Sequence, residues 1–160
     1  MTVFISHKNT DELQARRIDA QLKAAGIATY LDVLDPKSKS TSDITSVITD
    51  RIIECSHLIA IVSDNTKESW WVPFEIGGAT VHNKRICTYA ISAEQLPDYL
   101  KKWPILKSEN AISTFIKNYK SDTKLTRDLE SVSNESFEKG NLHNPADHFH
   151  ANLKRELGQY

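Results

Sequence analysis

The chain has 160 residues, with 20 Lys and Arg against 21 Asp and Glu for a formal net charge of −1. That length supports one domain with a real core. The near-neutral balance excludes nucleic-acid binding through bulk positive charge, and no run approaches the roughly eighteen apolar residues of a membrane span.

Two cysteines, Cys55 and Cys87, are too few for a disulfide framework or a Cys-based zinc site. Met1 leads into a strand-like VFIS rather than a basic and apolar leader, so no secretory signal is expected. The chain reads as a soluble, reduced, cytoplasmic domain without internal repeats.

Val3-Phe4-Ile5-Ser6 is the first predicted strand. Asn9 and Glu12 then have capping-box spacing. Ala15, Ile18, Leu22 and Ala25 keep one helical face as far as Gly26, a natural C′ residue. Residues 27–32 form a second strand, followed by a polar loop over 33–42 that contains Pro36. Ile44, Val47, Ile48 and Ile52 recur at helical spacing. The continuous apolar run over 58–62 suits a central parallel strand covered on both faces. A helix over 69–83, a strand over 85–92, a short fifth strand over 103–107 and a helix carrying Ile112, Phe115, Ile116 and Tyr119 complete the pattern.

This alternation predicts an α/β, flavodoxin-like three-layer fold with a five-stranded parallel sheet, plus a C-terminal helical extension. Ligands are expected beyond the carboxyl ends of the strands, which carry Ser6-His7-Lys8, Asp32, Ser63-Asp64 and Ser92. The domain is placed at 1–120. Residues 121–160 are expected to be a polar linker, or a partly helical excursion, and then an amphipathic helix. Asn144-Pro145-Ala146-Asp147 opens that helix, Phe149, Leu153 and Leu157 form its apolar face, and Gly158 ends it.

Neither phosphate signature, G-x-x-x-x-G-K-[ST] or G-x-G-x-x-G, is present, which argues against a P-loop or dinucleotide-fold enzyme. The most informative segment is Ser69-Trp70-Trp71-Val72-Pro73-Phe74-Glu75-Ile76-Gly77-Gly78-Ala79. Pro73 requires the helix to start close by. Glu75 then shares a face with Trp71, one turn earlier. Gly77 and Gly78 each cost roughly 1 kcal/mol of helix propensity against Ala, for which close approach of a neighbouring backbone is one reason.

One carboxylate beside indole rings, with no obvious second acid, limits the chemistry. Ordinary glycosidases need two carboxyls because the leaving oxygen must be protonated. A pyridinium leaving group departs neutral, so one carboxylate suffices to stabilise a ribosyl oxocarbenium ion or to orient the ribose hydroxyls. The plainer alternative is a surface acid in a first helical turn.

The ordered series resembles a TIR (Toll/interleukin-1 receptor) domain over roughly residues 1–120. Val3-Phe4-Ile5-Ser6-His7 resembles that family's opening box, and Tyr30-Leu31-Asp32 with the Pro36 loop resembles its second strand and BB loop. Ser69-x-Trp71-x-x-x-Glu75 matches the S-x-W-x-x-x-E pattern of catalytic members, and Asn83-Lys84-Arg85-Ile86 the segment after that helix. The resemblance implies cleavage of NAD, as substrate rather than cofactor, with Glu75 as the catalytic residue and Trp71 as pocket wall. It implies that Ser6, His7 and Lys8 face the dinucleotide together with Ser69. Asp32 would lead into a gating loop.

A standalone chain of this size further resembles the TIR subunit of Thoeris anti-phage systems. That implies an ADP-ribose-type product, cyclic or conjugated, acting on a separate effector, and a homo-oligomer on activation. No nucleic-acid or membrane partner is expected. Two other readings stand beside it: a non-catalytic TIR assembly module, and a nucleoside deoxyribosyltransferase-like enzyme suggested by the E-I-G-G-A…N-K-R-I run.

Outside that motif the readings are plainer. Asp32 binds a ribose hydroxyl or caps a turn. Lys8, Lys37 and Lys39 are loop lysines. His143, His148 and His150 do not have the spacing of a metal site, so no metal is expected. Cys55 and Cys87 read as packed thiols.

Overall fold

The sheet is built from β1 (Thr2–Ser6), β2 (Ala28–Leu31), β3 (His57–Val62), β4 (Arg85–Ala90) and β5 (Ile105–Leu106). All of its pairings are parallel, in the order β2-β1-β3-β4-β5. The computed structural model describes residues 1–31, 44–91, 96–132 and 144–160. The helices are α1 (Glu12–Ala24), α2 (Ile44–Glu54), α3 (Trp71–Val81), α4 (Glu109–Val132) and α5 (Pro145–Glu156). This is the doubly wound α/β arrangement that the strand and helix periodicities predict. Asp32, Lys37, Lys39, Ser92, His143 and the whole of the 33–42 loop lie outside the described residues.

The side chains of β3 are buried throughout, as its unbroken apolar run requires. Val3, Ile5, Ile59, Ile61, Cys87 and Tyr89 point to one side of the sheet and pack with α1, α4 and α5. Phe4, Leu58, Ala60, Val62 and Ile86 point to the other side and pack with α2 and α3. Register aligns Ser6 with Ala60 and Ala60 with Thr88, so these three form one row across the second face. Among the described residues no helix is long and apolar enough to cross a membrane.

Local structure departs from the sequence expectation at two places. Asn9 and Glu12 do not form a capping box: Asn9–Asp11 is a 3-10 turn, Asp11 has no capping bond, and Glu12 pairs with Arg16 at 2.6 Å. Of the two readings of the stretch that follows 120, the helical one holds as far as Val132, where α4 ends. Close backbone approach does not account for the glycine pair. Among the described residues, a Cβ on Gly78 would meet only the Ile52 side chain, at 3.5 Å, and one on Gly77 would meet nothing within 4 Å.

α4 is anchored past residue 120 by a buried polar cluster at the amino edge of the sheet. Arg85 Nε, at the start of β4, lies 2.9 Å from Asp122 Oδ2. His57, fully buried at the start of β3, is ringed by Phe115, Tyr119 and Phe149 with centroids 5.9, 4.7 and 4.8 Å away. Burial, and then the neighbouring Arg85 charge, hold its imidazole well below the usual range, so it is neutral. Its Nδ1 lies 2.9 Å from Ser56 Oγ. Tyr119 donates its hydroxyl to the Met1 carbonyl at 2.6 Å.

α5 docks on this end. Asn144 caps it by accepting from the Ala146 amide at 3.1 Å, and Phe149 and Leu153 enter the core. His150 Nε2 accepts the Ile86 amide proton at 2.8 Å, and burial brings the pKa of His150 down to about 4. Gln159 brackets β5, accepting from the Ile105 amide at 2.9 Å and donating to the Ile105 carbonyl at 2.5 Å.

Truncating Phe149 to Ala removes an aromatic ring shared by α4, α5 and β3, and should cost about 3–5 kcal/mol in urea denaturation. An exposed accessory helix would lose far less. The sign for His150 follows from its depression below 6.5: the unfolded chain takes up its proton first, so stability is full above that value and is lost toward about 4. Urea midpoints should therefore fall from pH 7 to pH 5. The fall should be shallower in His150→Gln, whose side chain keeps an acceptor for the Ile86 amide without titrating.

Candidate functional site

The order of the strands reverses between β1 and β3, and such a switch point opens a crevice at the carboxyl ends of a parallel sheet. Ser6 is the last residue of β1 and Ser63 the first after β3. Two side-chain bonds join the loops that follow these strands. Lys8 Nζ donates to the Asn65 carbonyl at 2.8 Å, and Ser63 Oγ donates to Asp11 Oδ2 at 2.7 Å. Ser63 also organises a 3-10 turn over Asp64–Glu68, accepting from the Asn65 amide at 3.1 Å while its own amide donates to Thr66 Oγ1 at 2.6 Å.

That turn delivers the chain into α3. Pro73 is the third residue of the helix, where its missing N–H loses no intrahelical bond. Ser69 precedes the helix and accepts a long bond from the Val72 amide at 3.5 Å. Trp70 stands almost wholly in solvent, at 91% exposure, whereas Trp71 is half-buried and stacks on Phe74 with centroids 5.4 Å apart. The indole N–H of Trp71 is buried and has no hydrogen-bond partner among the described residues.

Glu75 lies one turn further along α3 and has no solvent exposure. This excludes the plain reading of a surface acid. Ser6 Oγ donates to Glu75 Oε2, joining strand and helix across 69 residues of sequence. His7, next along, is also buried, so it is not the exposed strand-end residue it would otherwise be. Of the residues predicted for the site, Ser6 and Glu75 touch directly, and His7 and Trp71 flank them in sequence. Lys8 instead spans to the neighbouring loop, and Asp32 lies outside the described residues.

A second acid at this edge was not legible. Asp11 is buried and bonded to Ser63, yet nothing local in the sequence links two residues 52 apart. Among the described residues no group of three or more His, Cys, Asp or Glu is placed to hold a metal ion. Both cysteines are buried thiols, and burial raises Cys55 to about 11 and Cys87 further.

A family model described as the TIR domain matches residues 3–129. The chain belongs to the TIR domain family. A Bacillus cereus (strain MSX-D12) protein described as a probable 3′ cyclic ADP-D-ribose synthase, ThsB′, is 25% identical over 79 residues. That match spans 47% of this chain and 41% of the relative, less than half of either. Among solved structures, the TIR domain of the Toll-related receptor TRR-2 from Hydra magnipapillata is similar with a TM-score of 0.61 at 17% identity, over 76% of this chain and 97% of that one. A 2-deoxyribosyltransferase from Bacillus psychrosaccharolyticus gives a TM-score of 0.58 at 10% identity, over 70% and 90%. At these identities both likenesses are of fold. The TIR fold thus carries its buried Ser6–Glu75 contact at the sheet's switch point.

The two loop-to-loop bonds differ in burial, and their removal should differ in effect. Asp11→Ala strands the buried Ser63 hydroxyl and should cost about 1–3 kcal/mol in chemical denaturation. Lys8→Ala breaks an exposed bond and should stay within about 0.5 kcal/mol of the parent.

Proposed function

We propose that this TIR domain cleaves the bond between nicotinamide and ribose in NAD, with Glu75 as the catalytic residue. The observation that carries the reading is the Glu75 carboxylate, buried on α3 and held by Ser6 at the carboxyl end of β1. The bonding electrons leave with the pyridinium nitrogen, nicotinamide departs neutral, and no general acid is required. The cation left on the ribose needs a nearby negative charge, which a carboxylate in a water-poor setting supplies more strongly than in bulk solvent. Trp71, half-buried one turn before the acid, forms the wall of the pocket. His7, Lys8, Ser69 and Asp32 are assigned to its dinucleotide-facing side.

The cation is then captured within the same molecule or by a second nucleophile, which gives a cyclic or conjugated ADP-ribose. The partial likeness to a relative described as a cyclic ADP-D-ribose synthase supports a product of that type. In this reading the protein works in the cytoplasm of a bacterial anti-phage system. It self-associates on activation and signals to a separate effector through the product. NAD is the substrate, and no cofactor is invoked.

Incubation of the purified chain with NAD, over a range of protein concentrations, tests the proposal by chromatography of nicotinamide and ADP-ribose products. Glu75→Gln keeps the shape of the side chain and removes its charge, and should lower nicotinamide release at least about 100-fold. Undiminished release removes Glu75 from the reaction. Base exchange between deoxynucleosides, without NAD cleavage, supports instead the transferase chemistry of the enzyme whose fold it shares. A folded protein inert in both assays supports an assembly module.

A further inference from the structure

We propose that Ser6 is a positioning residue for Glu75, fixing the carboxylate for bond cleavage rather than contacting the substrate itself. This rests on the reading of Glu75 as the acting acid. A serine hydroxyl has one proton, and that of Ser6 is given to Glu75 Oε2. What remains on Ser6 is acceptor capacity. The phosphates of a dinucleotide are acceptors as well, so Ser6 cannot serve them while it holds the acid.

The two partners differ in freedom. Ser6 ends β1 in fixed register with Ala60 and is fully buried, so its oxygen is set by the sheet. Glu75 reaches the sheet from α3 through a longer side chain with several rotatable bonds. The hydroxyl therefore selects one arrangement of the carboxylate. Donation to the carboxylate also favours its charged form, the form that steadies a ribosyl cation. The polar row that begins at Ser6 continues through Ala60 to Thr88, whose hydroxyl has no partner among the described residues, so Ser6 is the member of that row that engages the acid.

The test uses the full chain with Ser6→Ala and Ser6→Cys, each checked by thermal melting. Ser6→Ala should lower kcat for nicotinamide release about 10- to 100-fold and leave KM within about twofold, as expected for the loss of a hydrogen bond to a charged group that acts in the transition state. Ser6→Cys keeps the volume and offers a weak S–H donor, so its kcat should fall between.

A raised KM with unchanged kcat makes Ser6 a substrate contact and overturns the proposal. A raised kcat does so too, since the bond would then restrain the acid in a resting position. An unchanged kcat in Ser6→Ala overturns it as well, whereas absence of NAD cleavage by the parent protein defeats the enzymatic reading instead.

Discussion

A carboxylate with no exposure to water is expensive unless it is hydrogen-bonded, and the Ser6 hydroxyl gives Glu75 such a bond in the interior under α3. The donor comes from the best-determined part of the molecule. β1 is flanked by β2 and β3, and its register with both places the Ser6 hydroxyl on the α2/α3 side of the sheet. A slip of one residue would turn Ser6 to the opposite face and put Ile5 or His7 under the helix. The chemistry of the site is therefore written into the pairing of the central strands.

Buried polarity is concentrated at the two edges of the sheet and serves different ends there. At the carboxyl edge Ser6, Glu75, Asp11 and Ser63 tie loops and α3 to the strand ends at the switch point. At the amino edge Arg85, Asp122, His57 and His150 tie α4 and α5 to the strand starts. That second cluster is packed among aromatic rings and holds a neutral imidazole. Its work is to seat the helices that cover the first face of the sheet, so the edge with the buried carboxylates is braced from the opposite end.

The strands and helices were legible because each follows from a short-range period. The run at 58–62 became the central strand, and the spacing of Ile112, Phe115 and Tyr119 became α4. Asn144 with Pro145 set the start of α5. Glu75 was legible through its spacing from Trp71. What escaped depends on partners distant in sequence. Asp122 pairs with Arg85, 37 residues away, so composition alone left the stretch after 120 open between a linker and a helix. Asn9 had the right spacing for a cap. The chain instead made a 3-10 turn that leaves Asp11 free to accept from Ser63, a bond no local pattern announces.

α3 shows how far the rest depends on one contact. An ordinary surface helix turns charge outward and apolar groups inward, and that contrast sets its rotation on the sheet. α3 lacks that contrast. Its carboxylate is buried with Val72, Ile76 and Ala79, while Phe74 and Val81 stand exposed and Trp70 stands exposed just before its first turn. Apolar side chains lie all round, so hydrophobic burial alone barely distinguishes one rotation from the next. A turn of one residue, about 100°, would exchange Glu75 for Phe74 or Ile76 above Ser6 and lose the bond that the Ser6 hydroxyl donates. The polar contact thus fixes the rotational register that the apolar surface leaves open, in the way a single buried polar residue fixes register in a coiled coil. The same bond that holds the acid also decides which face of α3 meets the sheet, so fold and site are specified together at this position.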